Sequence, residues 1–330
     1  MGNTIIITGA NGSLAIPTVD QLLKPPVRDA RDNDVNTTTL RGVVAKYPQA
    51  KVYIKELDLG RLSAVHNLAR HVVAGISEGS LPRLSSIVGT AYYWNLVGPF
   101  QMTEDGCEKT IQVTFLSHVA LILLLLGCFR PEGGRIVLFS SDVHEPDKNG
   151  FEKIPPLIPT GPAELEHLVK PPEDDPAVDA FGHGLHRYAN AKLATVMFTH
   201  ALNRRLQGED QLKDITVVVT SPGYLSDSRA LRVNTPLKSV MISTLVMRPF
   251  RRLLAMVDST ARTVAQVSVD VAHLATNEAL PGARGYLELL NPSEGSKDSR
   301  DEKTQDVLWE KSAGWVGITA QDTVLGKSFR

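Results

Sequence analysis

Residues 3–15 read NTIIITGANGSLA, and the fold is decided there. Three isoleucines flanked by threonines make a β-branched run short enough for one buried strand. The run breaks at Gly9. A second glycine, Gly12, stands just before residues 14–23, whose apolar spacing predicts a helix that Pro25 and Pro26 end. Strand, glycine turn and helix form the first half of a βαβ unit. In such a turn backbone N–H groups and the helix N-terminus face an anion, so Thr8, Gly9, Asn11, Gly12, Ser13 and Leu14 are candidate contacts for a diphosphate.

Outward from this unit the pattern repeats. Strand patterns fall at 51–59, 86–91, 134–140, 214–220 and 285–290. Helical patterns fall between them at 62–75, 107–129, 185–207 and 261–277, with a last helix at 301–312. Strands that alternate with helices imply right-handed crossovers and a parallel sheet. The expected fold is α/β: a doubly wound, Rossmann-type parallel sheet forming a single domain over 1–330. Two long segments interrupt it. Residues 142–187 carry eight prolines and many charges, and 223–257 lie between a strand and the next helix. Loops of this length in a compact domain are usually lids or walls of a site, so 223–257 is expected to cover the substrate.

Composition narrows the class. The 330 residues are 42% hydrophobic and 22% charged, enough for a large core. A net charge of −1 supplies no electrostatic grip on nucleic acid. Cys107 and Cys128 have neither disulfide-framework nor zinc spacing, and they fit a reducing compartment. His118, His144 and His183 lack metal-ligand spacing. The start of the chain has no signal-type pattern, and the longest apolar runs fall below ~18 residues. A cytoplasmic protein without an integral membrane segment is expected. Residues 241–257, apolar with Arg248, Arg251 and Arg252, read as a helix over the cleft or as a contact with a membrane surface.

Two further motifs carry chemistry. Tyr188-Ala189-Asn190-Ala191-Lys192 sits in a helical pattern, and four-residue spacing puts phenol and ammonium on one face. A cation ~4 Å away in a medium of effective dielectric ~20 is worth about 4 kcal/mol. That could bring a phenol from near 10 toward neutrality and poise it to protonate a carbonyl. The spacing alone is weak: Tyr47-Pro48-Gln49-Ala50-Lys51 has it too, where Pro48 disfavours a helix. Ser140-Ser141-Asp142 ends the strand GRIVLFS (134–140). Ligands of open α/β sheets sit beyond the carboxyl ends of strands, so a serine there can bond a substrate carbonyl.

In this order the three motifs resemble the short-chain dehydrogenase/reductase family over nearly the whole chain. The stretches TGANGSLA, AYYWNL, SSDVHEP and RYANAKLA resemble a fungal branch that serves specialised metabolism. The tail, GYLELL followed by LWEKSAGW, is similar to retinol-dehydrogenase-like and protochlorophyllide-reductase-like members. The resemblance implies catalytic Ser141, Tyr188 and Lys192, with Thr114 at the place of the family's relay asparagine. It implies adenine contacts at Asp58 and Leu59, a cofactor contact at Ala91, and contacts to the nicotinamide at Pro222 and Gly223. It also implies that Tyr188 and Lys192 touch the cofactor. Arg28 matches an arginine that favours a 2′-phosphate, which implies NADP(H), with NAD(H) not excluded.

The chain departs from the family at several points. Ser13 and Ala15 stand for its second and third glycines, and Gly89-Thr90-Ala91-Tyr92 for its Asn-Asn-Ala-Gly. Between Leu23 and Thr37 the family's second strand is shortened or missing. Forty-seven positions separate Ser141 from Tyr188, far more than the family's usual spacing. The expected function is an NADP(H)-dependent ketone reductase or alcohol dehydrogenase on a hydrophobic, polyketide-like or polycyclic small molecule of secondary metabolism. The alternative is a cofactor-weakened relative with a ligand-binding or non-redox role. A homodimer through the helix 107–129 is the one macromolecular partnership the resemblance suggests.

Overall fold

The computed structural model describes residues 3–23, 35–225, 227–242, 244, 245, 258 and 260–329. Its centre is a sheet built from β1 (Thr4–Thr8), β2 (Leu84–Gly89), β3 (Gly134–Phe139), β4 (Ile215–Ser221) and β7 (Gly285–Glu288). The strand order is β1-β2-β3-β4-β7, parallel throughout, and β8 (Asn291–Pro292) closes the far edge antiparallel to β7. A two-residue pair, β5 (Tyr224–Leu225) with β6 (Ala261–Arg262), lies apart.

Period-two alternation explains why both faces are covered. Ile87, Ile136, Leu138, Val217 and Val219 point into one apolar layer, against α3 (Leu62–Ser77), α4 (Lys109–Cys128) and α5 (Ala180–Gln207). Val88, Val137, Phe139 and Val218 point into the other, against Val267, Val271 and Leu274 of α6 (Val264–Ala275). Helix α1 (Ala15–Leu23) packs on α6 on this second face. Helix α7 (Glu302–Trp315) packs on α5 and α4 from the first.

Several sequence expectations are corrected. Residues 51–59 form no strand, although Val52 and Ile54 turn inward as the alternation predicts. They pack on α1 and α2 (Val35–Val44) instead of joining the sheet. A strand needs a neighbour to bond, and no described residue pairs with this stretch or with the outer edge of β1. Arg28 and the place of the expected second strand lie outside the described residues. Helix α5 begins at Ala180, five residues before the predicted start, because the Asp179 side chain caps Gly182 N at 2.9 Å. The predicted helix 261–277 loses Ala261 and Arg262 to β6 and starts at a Thr263–Gln266 capping box.

Helix α4 is, among the described residues, the one helix long and apolar enough to cross a membrane, and 83% of its apolar window is buried inside the fold. It is apolar all round because the sheet, α3, α5 and α7 surround it.

One buried amide completes the sheet. Strand β7 pairs with β4 only from Val218 onward. At Val217 the side chain of Asn203 takes the missing neighbour's place, accepting from Val217 N at 3.1 Å and donating to Val217 O at 2.8 Å. Leaving two buried backbone groups without partners costs about 1–3 kcal/mol each. Asn203→Ala is therefore expected to lower unfolding stability by roughly 2–4 kcal/mol. Urea denaturation checks this, and an unchanged midpoint would refute it.

Candidate active site

Tyr188 and Lys192 lie one turn apart on α5, at the carboxyl end of the sheet. Both are buried, with 7% and 3% of their surface exposed. Lys192 Nζ donates to the carbonyl of Phe139, the last residue of β3, at 2.8 Å. Ser140 Oγ donates to the backbone carbonyl of Lys192 at 3.4 Å. Strand end and helix are thus joined at the lysine. Burial pulls the lysine down from 10.5 to about 7.

The Tyr188 ring stands in an aromatic box. Trp94 meets it edge-on with centroids 5.3 Å apart, and Tyr92 is tilted against it at 5.7 Å. Lys192 Nζ sits 5.3 Å from the Tyr188 ring centroid and 5.4 Å from that of Tyr92. Leu96, Val143, Leu185 and Ala189 complete the wall. The four-residue spacing predicts that the lysine pulls the phenol toward neutrality. The structure shows the reverse: burial, then Tyr92 and Asp142, push the Tyr188 phenol well above 10. Desolvation of a phenolate outweighs a cation that is itself partly discharged by burial.

Ser141 is the first residue beyond Ser140 and has an extended backbone, φ −159°. Its hydroxyl donates to Asp142 Oδ1 at 2.7 Å, and Asn149 Nδ2 donates to Asp142 Oδ2 at 2.8 Å. Asn149 belongs to the proline-rich segment 142–187. Ser141 was expected to donate to a carbonyl oxygen. With its one proton on Asp142 it is set here as an acceptor. The same segment is tied to α5 by Asn190, whose Oδ1 accepts from Leu157 N at 2.8 Å.

Thr114 sits on a π-helical turn of α4, Gln112–Leu116. Such turns often mark functional sites. The Thr114 hydroxyl accepts from Tyr93 N at 3.1 Å and donates to Tyr93 O at 3.2 Å. Its expected place in a proton relay is not what this geometry provides, because the hydroxyl proton is taken by the Tyr93 carbonyl. Thr114 instead positions the aromatic segment between Tyr92 and Trp94. One turn along, His118 is 4% exposed. Its Nδ1 lies 3.2 Å from the Thr114 carbonyl, which can only accept, so Nδ1 carries the proton. Nε2 then accepts from the Thr8 hydroxyl at 2.9 Å, and Thr8 Oγ1 in turn accepts from Ala91 N at 3.3 Å. Burial, with the Lys192 charge, holds the imidazole down at about 4.

This chain of bonds fixes the glycine turn beside Ala91. Gly9 has φ +62°, and a Cβ there would stand 3.0 Å from Ala91 Cα. Gly12 N donates to Gly9 O at 2.7 Å. The glycine turn thus packs closely against Ala91 at the start of α1, the place where a helix N-terminus can face a diphosphate. Leu14 packs in the second apolar layer. Asn11 O and Ser13 Oγ both accept from Arg229. At the far end of the site Pro222 and Gly223 leave β4, with Gly223 at φ +82°, where a Cβ would strike the Thr260 carbonyl. Asp58 turns its carboxylate onto its own loop, 2.8 Å from Gly60 N, while Leu59 is buried and its carbonyl accepts from Ser117 at 2.7 Å.

The structure thus brings Ser141, Tyr188, Lys192, Thr114, Ala91 and the glycine turn to one end of the sheet. Sequence reasoning assigned no role to Asp142, Trp94, Tyr92 or Arg229. The first three stand inside motifs already singled out, and only their contacts show what they do.

A parallel sheet with a glycine turn after its first strand and a buried tyrosine–lysine pair beyond its carboxyl edge defines an α/β oxidoreductase of the dinucleotide-binding class. A family model for the AcuH dehydrogenase domain matches residues 229–325. Dehydrogenase acuH of Aspergillus aculeatus is 43% identical over 93 residues, 95% of its length and 28% of this chain. Short-chain dehydrogenase iccH of Talaromyces variabilis is 26% identical over 98% of both chains. Retinol dehydrogenase 13 of Mus musculus is 28% identical over 96% of this chain and 84% of its own. Two solved structures share the fold. A short-chain dehydrogenase/reductase from Serratia marcescens has 18% identity, a TM-score of 0.57 and coverage of 87% of this chain and 97% of its own. A variant of actinorhodin polyketide ketoreductase with NADPH has 17% identity, a TM-score of 0.56 and coverage of 88% and 98%. The chain belongs to the short-chain dehydrogenase/reductase family.

Proposed function

We propose that this protein is an NADP(H)-dependent ketone reductase acting in the cytoplasm on a hydrophobic, polyketide-like or polycyclic molecule of secondary metabolism. The observation that carries the reading is the Tyr188 phenol, buried beside Lys192 under the aromatic wall of Tyr92 and Trp94. The turn at Gly9, Gly12 and Ser13 would hold the diphosphate, and Lys192, Ala91, Pro222 and Gly223 would line the nicotinamide end. When bound, the nicotinamide supplies the hydride for the carbonyl carbon.

The chain's own residues do the rest. Tyr188 gives its hydroxyl proton to the carbonyl oxygen. A pKa well above 10 keeps it in the acid form over the whole neutral range, which suits the reductive direction. Lys192, held by the Phe139 carbonyl, places its charge beside the ring and offsets the phenolate as the proton leaves. Ser141, its own proton on Asp142, accepts a hydrogen bond and so orients either the phenol or the product hydroxyl. Tyr92 and Trp94 offer aromatic faces and edges for a flat substrate. The likeness to a polyketide ketoreductase supports this substrate class.

The test is NADPH consumption by the purified protein with a panel of aromatic and aliphatic ketones. Turnover confined to bulky aromatic ketones is expected. Absence of turnover together with absence of NADPH and NADH binding would overturn the reading in favour of a ligand-binding role without redox chemistry.

Asp142 supplies a prediction about pH. Its carboxylate raises the pKa of Tyr188, so Asp142→Asn lowers it. The ionisation of the Tyr188 phenol, followed by its ultraviolet difference absorbance against Tyr188→Phe, is therefore expected at lower pH in the variant. Coincident pH profiles would show that Asp142 does not act on the phenol.

A further inference from the structure

Ser13 puts a hydroxyl into the turn before α1, and that hydroxyl has a partner 216 positions away in the chain. Ser13 Oγ accepts from the backbone N–H of Arg229 at 2.9 Å and from Arg229 Nε at 3.3 Å. Arg229 Nη2 donates to the carbonyl of Asn11 at 2.7 Å. The guanidinium therefore lies across residues 11–13, on the turn that leads into α1. A guanidinium is a planar fork of five donors, permanently charged and matched to phosphate oxygens.

The other end of the same segment is held at the aromatic wall. Trp94 Nε1 donates to Val233 O at 2.9 Å, Leu96 N donates to Asn234 O at 2.9 Å, and Asn234 Nδ2 donates to Trp94 O at 3.2 Å. Residues 229–234 thus span the site from the glycine turn to the box around Tyr188, pinned at both ends.

We propose that Arg229 is the cationic ligand of the cofactor's diphosphate, that Ser13 anchors it, and that residues 229–234 form a strap tying dinucleotide binding to the substrate wall. This rests on the reading that the chain binds a dinucleotide. The serine in the turn has a purpose on this view: it fixes the arginine's backbone and Nε and so aims the fork. Hydrogen bonds from a guanidinium to phosphate are roughly twice as strong as neutral ones.

The experiment is a titration of the full chain with NADPH, followed by quenching of tryptophan fluorescence and needing no turnover. Arg229→Gln is expected to raise the Kd at least about tenfold and to flatten its dependence on salt. Ser13→Gly, which keeps the charge but removes the anchor, is expected to raise it several-fold. Adenosine 2′-monophosphate, which carries no phosphate on the 5′ oxygen, should bind wild type and R229Q alike. Thermal melting checks that each variant folds, and S13G carries the test if R229Q does not fold. Wild type that binds NADPH with R229Q unchanged, or tighter, overturns the strap and leaves the proposed function standing. Wild type that binds neither NADPH nor NADH overturns both.

Discussion

Tyr188→Phe is expected to reduce kcat at least a hundredfold while the protein stays folded and its affinity for NADPH stays within about twofold. The ring, with its contacts to Tyr92, Trp94, Leu185 and Ala189, survives the substitution. Only the proton donor is lost, and positioned general acids are worth roughly 10²–10⁴ in rate. Neither Lys192 nor Ser141 can replace it. Lys192 is tied to Phe139 O, and Ser141 has its proton on Asp142. Steady-state kinetics and a dinucleotide titration on one preparation check both halves. Turnover above a tenth of wild type would remove Tyr188 from the acid's role.

The second large effect sets function against stability. Lys192→Met is expected to abolish turnover and yet to make the protein more stable at pH 6. The lysine titrates at about 7 in the folded chain, against 10.5 when unfolded. Between those values the unfolded chain binds the extra proton, so stability rises with pH across that window. Below about 7 both states are protonated, and the folded protein bears the whole cost of a buried ammonium, on the order of a few kcal/mol. Methionine removes that cost and keeps the volume, at the loss of one hydrogen bond to Phe139 O worth about 1 kcal/mol. The gain should be largest near pH 6 and should fade toward pH 10. Urea midpoints for both proteins at the two pH values decide it. An equal difference at both would show that the ammonium is not the source.

How far the fold could be read in advance depended on how local each signal was. The isoleucines after Thr4, the ITVVVT run and the unbroken apolar stretch of α4 are short-range patterns, and they became β1, β4 and the buried helix. Helix α2 escaped notice because NTTTLRGVV mixes poor helix formers with a weak stripe, and its packing on α1 stabilises it. The 51–59 stretch shows the opposite case. Its alternation is real, but a ladder depends on a neighbour that no local pattern guarantees. In the site, the spacing of Tyr188 and Lys192 was legible because a helix turns that spacing into one face. The direction of the phenol's pKa was not, since it depends on Trp94 and Tyr92 closing over the ring from nearly a hundred positions away. Arg229 was invisible for the same reason, as nothing near it in sequence points to Ser13.

The run of bonds from Ala91 through Thr8 and His118 to Thr114 and Tyr93 has a consequence for how such an enzyme can be altered. One imidazole serves as the common pivot of the nucleotide turn and the aromatic wall, and a tilt of that ring is felt at both. Selection or engineering for a new ketone that works through Tyr93 or its neighbours would therefore register first as a changed hold on the coenzyme. The two specificities of this catalyst are inherited as a pair.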